Sequence, residues 1–155
     1  MEAIFMLTCT FFGHRDMDYF PYQDKIETII IDLIQNCGVT QFYSGYRGNF
    51  DRLCAYLVWE LKFRYPQIKN TLVLSYLSYK KEDFVLPKFF DASVYLLEKP
   101  VPPRFAITHT NRKMVDLAEY VVSGIKHEHG GAFTACKYAR KHGKIMIDIY
   151  EEIGE

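Results

Sequence analysis

The chain has no CxxC pair, no long apolar run and no net charge. Each absence removes a class of protein. The four cysteines, Cys9, Cys37, Cys54 and Cys136, are scattered singly through apolar or helical stretches. That pattern reads as buried free thiols in a reduced compartment, not as a disulfide framework. No stretch reaches the ~18 consecutive apolar residues that a membrane span needs. Met1 to Thr10 is too short for a signal peptide and lacks its basic start. The expectation is a cytoplasmic protein with no membrane partner. Lys and Arg number 19, and so do Asp and Glu. Zero net charge gives no long-range attraction to nucleic acid, which argues against a nucleic-acid partner. Neither GxGxxG nor a Walker loop is present. No Ser-His-Asp or Cys-His arrangement can be argued from spacing, so catalytic residues stay unassigned. His127-Glu128-His129 is not read as a metal site, because histidines two apart face different directions and no carboxylate or cysteine cluster supports them. Nothing calls for a cofactor.

What the sequence does have is apolar material. Its 155 residues are 49% hydrophobic and 16% aromatic. A chain of this size reads as one domain over 1–155 and buries roughly two thirds of the surface its unfolded form exposes.

Short apolar runs alternate with segments of helical period. Ile4–Thr10 reads as a strand ending at Phe11-Phe12-Gly13-His14. Gln23–Cys37 carries Ile26, Ile29, Ile30, Leu33 and Ile34 on one face, which is an amphipathic helix stopped by Gly38. Thr40–Ser44, Thr71–Leu77, Ser93–Leu97, Glu119–Ile125 and Lys144–Ile149 read as further strands. Phe50–Arg64, Arg104–Leu117 and Ala132–His142 read as helices. Residues 78–91 have no clear period and are read as a long loop or broken helix. Strands that are continuously apolar are covered on both faces. The expected fold is therefore α/β: a Rossmann-like, open and mainly parallel sheet with helices on both faces. In such sheets ligands sit beyond the carboxyl ends of the strands, at the topological switch point.

The loops after the strands are where chemistry is expected. Gly13-His14-Arg15 follows the first strand. Glycine permits close backbone approach, and the arginine fork suits phosphate or carboxylate oxygens. Ser44-Gly45-Tyr46-Arg47-Gly48-Asn49-Phe50-Asp51 follows the second. Its glycines precede a helix N-terminus, a natural anion site. Asp51 either caps that helix or hydrogen-bonds a ribose hydroxyl. Tyr46, flanked by glycine, is the candidate exposed face for base stacking. Gly130-Gly131-Ala132 opens the last helix, where bare amides can meet a phosphate. Arg112 lies in a basic segment, Asn111-Arg112-Lys113, and could reach back over the sheet edge. Phe11, Phe12, Tyr43, Phe50 and Phe105 also fall near the mouth, where core packing is the plainer explanation for most of them.

In this order the segments resemble the SLOG superfamily, which joins the Smf/DprA DNA-processing proteins with the LOG cytokinin-activating hydrolases. The markers are Phe12-Gly13-His14-Arg15, Phe42-Tyr43-Ser44-Gly45, Gly48-Asn49-Phe50-Asp51 and Tyr65-Pro66-Gln67-Ile68. They continue through Pro103-Arg104-Phe105-Ala106-Ile107, Asn111-Arg112-Lys113-Met114 and Gly130-Gly131-Ala132. Within the superfamily the chain is similar to the small bacterial YpsA/YoqJ-like proteins. The resemblance implies a nucleotide or nucleotide-derived ligand, with phosphate contacts from Gly13–Arg15, Gly45–Gly48 and Gly130–Gly131. LOG enzymes cleave the base–ribose bond of nucleoside 5′-monophosphates. Their arginine–lysine pair is matched by Arg112-Lys113. Their glutamate, just inside the helix after a PGGxGT loop, is not matched. The segment here reads His129-Gly130-Gly131-Ala132-Phe133-Thr134-Ala135-Cys136-Lys137, and its helix holds no acid. A carboxylate is the usual means of stabilising an oxocarbenium-like centre.

The expected function is binding of a nucleotide-derived small molecule, by a sensor or sequestering domain. The alternative is a LOG-type phosphoribohydrolase whose acid comes from Asp16, Asp51, Asp116 or Glu128. Related proteins often pair, and surplus aromatic surface allows a homodimer.

Overall fold

The computed structural model describes residues 6–77 and 84–151. Among these residues, six strands form one sheet: β1 (Leu7–Gly13), β2 (Val39–Ser44), β3 (Lys69–Leu74), β4 (Ala92–Tyr95), β5 (Tyr120–Gly124) and β6 (Ile145–Asp148). Four α-helices connect them: α1 (Gln23–Cys37), α2 (Asn49–Leu61), α3 (Pro103–Leu117) and α4 (Gly131–Lys141). The strand order is β4-β3-β2-β1-β5-β6, and every pairing is parallel. The chain builds outward from β1 to β4, then returns through α3 to lay β5 on the other side of β1. The switch point therefore lies between β1 and β5.

The sheet is covered on both faces, as the sequence pattern implies. Cys9 and Phe11 of β1 point to the α1–α2 side, where they join Phe42, Phe50 and the isoleucines of α1. Phe12 points the other way, to Met114 and Val115 of α3 and Ala135, Cys136 and Ala139 of α4. Burying each large side chain here contributes about 1.5–3 kcal/mol. Helix α1 spans the expected residues and stops because Gly38 turns left-handed (φ 73°), its N–H donating to the Leu33 carbonyl.

Two strands depart furthest from expectation, for physical reasons. β1 continues through Phe11 and Phe12 to Gly13, because β5 gives it a pairing partner out to Gly13↔Gly124. β3 starts earlier, at Lys69, and stops at Leu74. Beyond it Ser75 leaves the sheet and serves a side chain of the site described below. The edge strands are not buried on both faces: Ala92 and Ser93 of β4 and Ile145 of β6 are exposed. Of the segment read as loop or broken helix, residues 78–83 lie outside the described part. Residues 84–91 are irregular, with Phe90 buried against Leu72 and Ala55. Cys9, Cys54 and Cys136 are buried free thiols, and Cys37 is half-buried. Among the described residues, no helix is long and apolar enough to cross a membrane.

Candidate functional site

A cleft of about 500 Å³ opens over the carboxyl ends of β1 and β5. Two aromatic rings, Phe50 and Tyr19, are buried beneath the strand ends. A side chain at Gly13 would put its Cβ 2.2 Å from the Phe50 ring. One at Gly124, the register partner of Gly13, would meet Tyr19 at 2.8 Å and Phe50 at 2.9 Å. The two rings meet edge to face at 4.8 Å. Gly13 is thus needed to admit Phe50, a packing role beyond ligand approach. The Tyr19 hydroxyl donates to the Gly124 carbonyl (2.7 Å) and accepts from the His14 N–H (2.9 Å). It ties the two strand ends together across the switch point. Burial pushes its phenol well above the ordinary tyrosine value. Nothing in the sequence pattern singled out Tyr19.

The β1–α1 loop supplies His14 and Arg15. His14 Nε2 accepts the N–H groups of Lys126 (3.0 Å) and His127 (3.1 Å). A nitrogen that accepts two amides carries no proton, so the ring is neutral with its proton on Nδ1. Burial, then the neighbouring His127 and His129, push its pKa down. His14 therefore holds the β5–α4 loop in place. Arg15 is exposed at the cleft, and its guanidinium has no hydrogen-bond or ion-pair partner among the described residues. Its backbone is pinned: its carbonyl accepts from Asn49 N–H (2.9 Å), and a Cβ on Gly48 would lie 2.6 Å from Arg15 Cα.

The β2–α2 loop supplies the opposite wall. Ser44 is fully buried, and its Oγ accepts the Tyr46 N–H (3.1 Å), so it braces the turn and does not line the cleft. Tyr46 sits at φ 55°. Its ring packs edge-on to Phe90 (5.2 Å), with the Arg52 guanidinium over it at 5.5 Å. The expected exposed stacking face is therefore not presented to the cleft, because packing against aromatics outcompetes leaving the ring in water. Arg47 takes the prominent place instead. Its guanidinium donates to Ser75 Oγ and to Asn111 Oδ1 (3.0 Å), joining β2, β3 and α3 at the cleft wall. Burial pushes its pKa down. Gly45 leaves room for that guanidinium, since a Cβ there would meet Nη2 at 2.9 Å.

Asp51 lies in the first turn of α2. Its Oδ2 accepts the Arg47 N–H at 3.4 Å, a long hydrogen bond back across the helix start. Its Oδ1 is buried, with no partner among the described protein atoms. Burial pushes its pKa up to about 6, against the lowering influence of Arg47 and Arg15. On the third side, Gly130 (φ 95°) and Gly131 start α4 with no side-chain cap. The first amides of that helix carry its positive end.

Eight of the ten expected ligand residues line this cleft: Gly13, His14, Arg15, Gly45, Gly48, Asp51, Gly130 and Gly131. Ser44 and Arg112 do not. Arg112 lines a neighbouring depression of about 530 Å³, its guanidinium 5.6 Å from the Tyr138 ring. Tyr138 in turn donates to Asp116 (2.7 Å). Asp116 is thereby engaged away from the cleft, and Glu128 does not line it. Of the four acids open to the hydrolase alternative, only Asp16 and Asp51 are cleft residues. Arg47 and Asn111 were not singled out as ligand residues. Asn111 had a signal: it stands three and four residues before Met114 and Val115, a polar residue on the apolar stripe of α3.

The fold is a parallel, Rossmann-like α/β sheet that other solved structures share. No protein-family model matches the sequence, and no curated protein matches it either. Solved structures do. DNA processing protein A (DprA) from Streptococcus pneumoniae superposes with a TM-score of 0.68 at 16% identity, over 96% of this chain and 52% of that one. DprA from Helicobacter pylori, described with a single-stranded DNA binding mode, gives 0.66 at 16% identity, over 96% and 67%. TM1055 gives 0.60 at 14% identity, over 91% and 72%. The chain spans about half the length of the S. pneumoniae DprA.

Proposed function

We propose that the cleft binds a nucleotide or nucleotide-derived molecule, with its phosphate between Arg15 and the first amides of α4. The observation that carries this reading is the position of the cleft. It sits at the switch point of a parallel sheet, where two helix N-termini converge with a guanidinium that has no partner among the described residues. Helix N-termini favour anions, and arginine forks onto phosphate. The volume falls in the usual range for small-molecule sites, about 300–1,000 Å³. A second reading, hydrolysis of the base–ribose bond, is favoured by Asp51, an acid in the cleft with its pKa raised toward neutrality.

A thermal-shift screen tests both. The panel holds AMP, GMP, ADP-ribose, NAD, cyclic nucleotides and a short single-stranded oligonucleotide, with each mixture then resolved by chromatography. A ligand at ~100 times its Kd adds about 2.7 kcal/mol to the folded state. A shift with the nucleotide recovered intact is the expected result. A shift with free base released makes the protein a hydrolase. A shift with the oligonucleotide alone, or with nothing, overturns the small-molecule reading.

A further inference from the structure

We infer that Asp51 selects what enters the cleft: a ligand anionic at one end that also presents an uncharged hydroxyl, such as a sugar hydroxyl, to Asp51 Oδ1. This rests on the nucleotide reading of the same cleft and goes further by naming the group that discriminates.

The argument begins with an unmatched atom. Oδ1 is buried on a residue of the cleft wall, yet no protein donor among the described residues reaches it. Burying such an oxygen unpaired is costly. The obvious partner is nearby and already taken. Arg47 gives its guanidinium to Ser75 and Asn111 and offers Asp51 only its backbone N–H. No Asp51–arginine ion pair forms among the described residues; the one ion pair there is Lys62–Asp91. The carboxylate is therefore an acceptor awaiting a donor from the cleft side.

The charges around it decide which donor. A phosphate against Asp51 would meet a like charge, so the anion belongs on the α4 side, at the Gly130–Gly131 turn and the Arg15 fork. An ammonium donor would face Arg47 and Arg15 together. A neutral hydroxyl suffers neither repulsion. A hydrogen bond to a charged group is worth more than one between neutral groups, which makes this contact discriminating.

The test compares AMP with 2′,3′-dideoxy-AMP by titration calorimetry between pH 5 and 7.5, on the wild type, Asp51→Asn and Asp51→Ala. The wild type is expected to bind AMP about tenfold tighter at pH 7.5. The preference is expected to shrink toward pH 5, where Asp51 becomes protonated. The other ionisable side chains of the cleft are His14, His127 and His129 across it, Asp16 and Arg15 on the β1–α1 loop, and Arg47, while Cys54 is buried below on α2. They and the shared phosphate act on both nucleotides alike and cancel in the ratio. Asp51→Ala is expected to abolish the preference, and Asp51→Asn to leave a small, pH-independent one. Should Asp51→Ala fail to fold, the wild-type ratio and Asp51→Asn still decide. Equal binding of the two nucleotides overturns this inference and leaves the nucleotide reading standing. Binding of neither overturns both.

Discussion

The two walls of the cleft are built from the same residue type to opposite ends. On the β1/β2 wall, glycines exist because there is no room for anything else. Gly13 admits Phe50, and Gly48 admits the Arg15 backbone. On the α4 wall, a Cβ at Gly130 or Gly131 would meet nothing within 4 Å. Residues 126–131 are all exposed there, and His14 Nε2 is the side chain that ties this loop down. One wall is interlocked and the other is held by a latch. Interlocked packing transmits strain and resists change, whereas exposed backbone with few buried contacts opens at low cost. The difference teaches that the first wall fixes the shape of the site while the second is able to adjust to an occupant.

The comparison breaks most visibly at its tightest point. Gly13→Ala forces a Cβ to 2.2 Å from the Phe50 ring. Overpacking of that kind costs typically 1–3 kcal/mol and more where the ring has no way out. Chemical denaturation is expected to show a loss of about 3 kcal/mol, while Gly131→Ala, its counterpart on the open wall, changes stability by about 1 kcal/mol or less. Equal losses for the two would remove the distinction between the walls. Next in size is Tyr19→Phe. It keeps the ring but strands the His14 N–H and the Gly124 carbonyl, and is expected to cost about 1–3 kcal/mol. The smallest effect sharpens the latch. The pKa of His14 is lowered on folding, so the unfolded chain binds the proton more readily and acid works against the folded arrangement. Stability from this group is present above the ordinary histidine value of 6.5 and declines as pH falls below it. Amide exchange at Lys126 and His127, corrected for its intrinsic pH dependence, is expected to lose protection across that window. His14→Phe is expected to make protection at those two amides low at every pH.

The layered fold was legible in the sequence because each element carries its own period. The isoleucine stripe of α1 and the apolar run of β1 name their faces without help from the rest of the chain. The strand ends were less legible. Gly13 belongs to β1 only because β5, distant in sequence, comes alongside. The cleft was legible as a set of loops, because glycines after strands mark helix entries. Its internal wiring was not. Whether Arg47 or Arg112 faces the cleft depends on where Ser75 and Asn111 lie in space, and Tyr46 was drawn away by Phe89 and Phe90 across the sheet edge. Tyr19 carried no local mark at all, since its partners are backbone groups of other segments.

The strand order also has a consequence for how the molecule comes together. β2, β3 and β4 are added in the order of synthesis, each to the outer edge left by the one before. The inner edge of β1 has no such early partner: Cys9 must wait for Tyr120, and Phe12 for Ser123. Non-local pairings of this kind slow folding and leave an apolar strand edge open in the meantime. In a nascent chain, that edge is the place for a chaperone to sit or for two copies to mispair. The strand that ends in the His14–Arg15 loop is the first to be made and among the last to be enclosed.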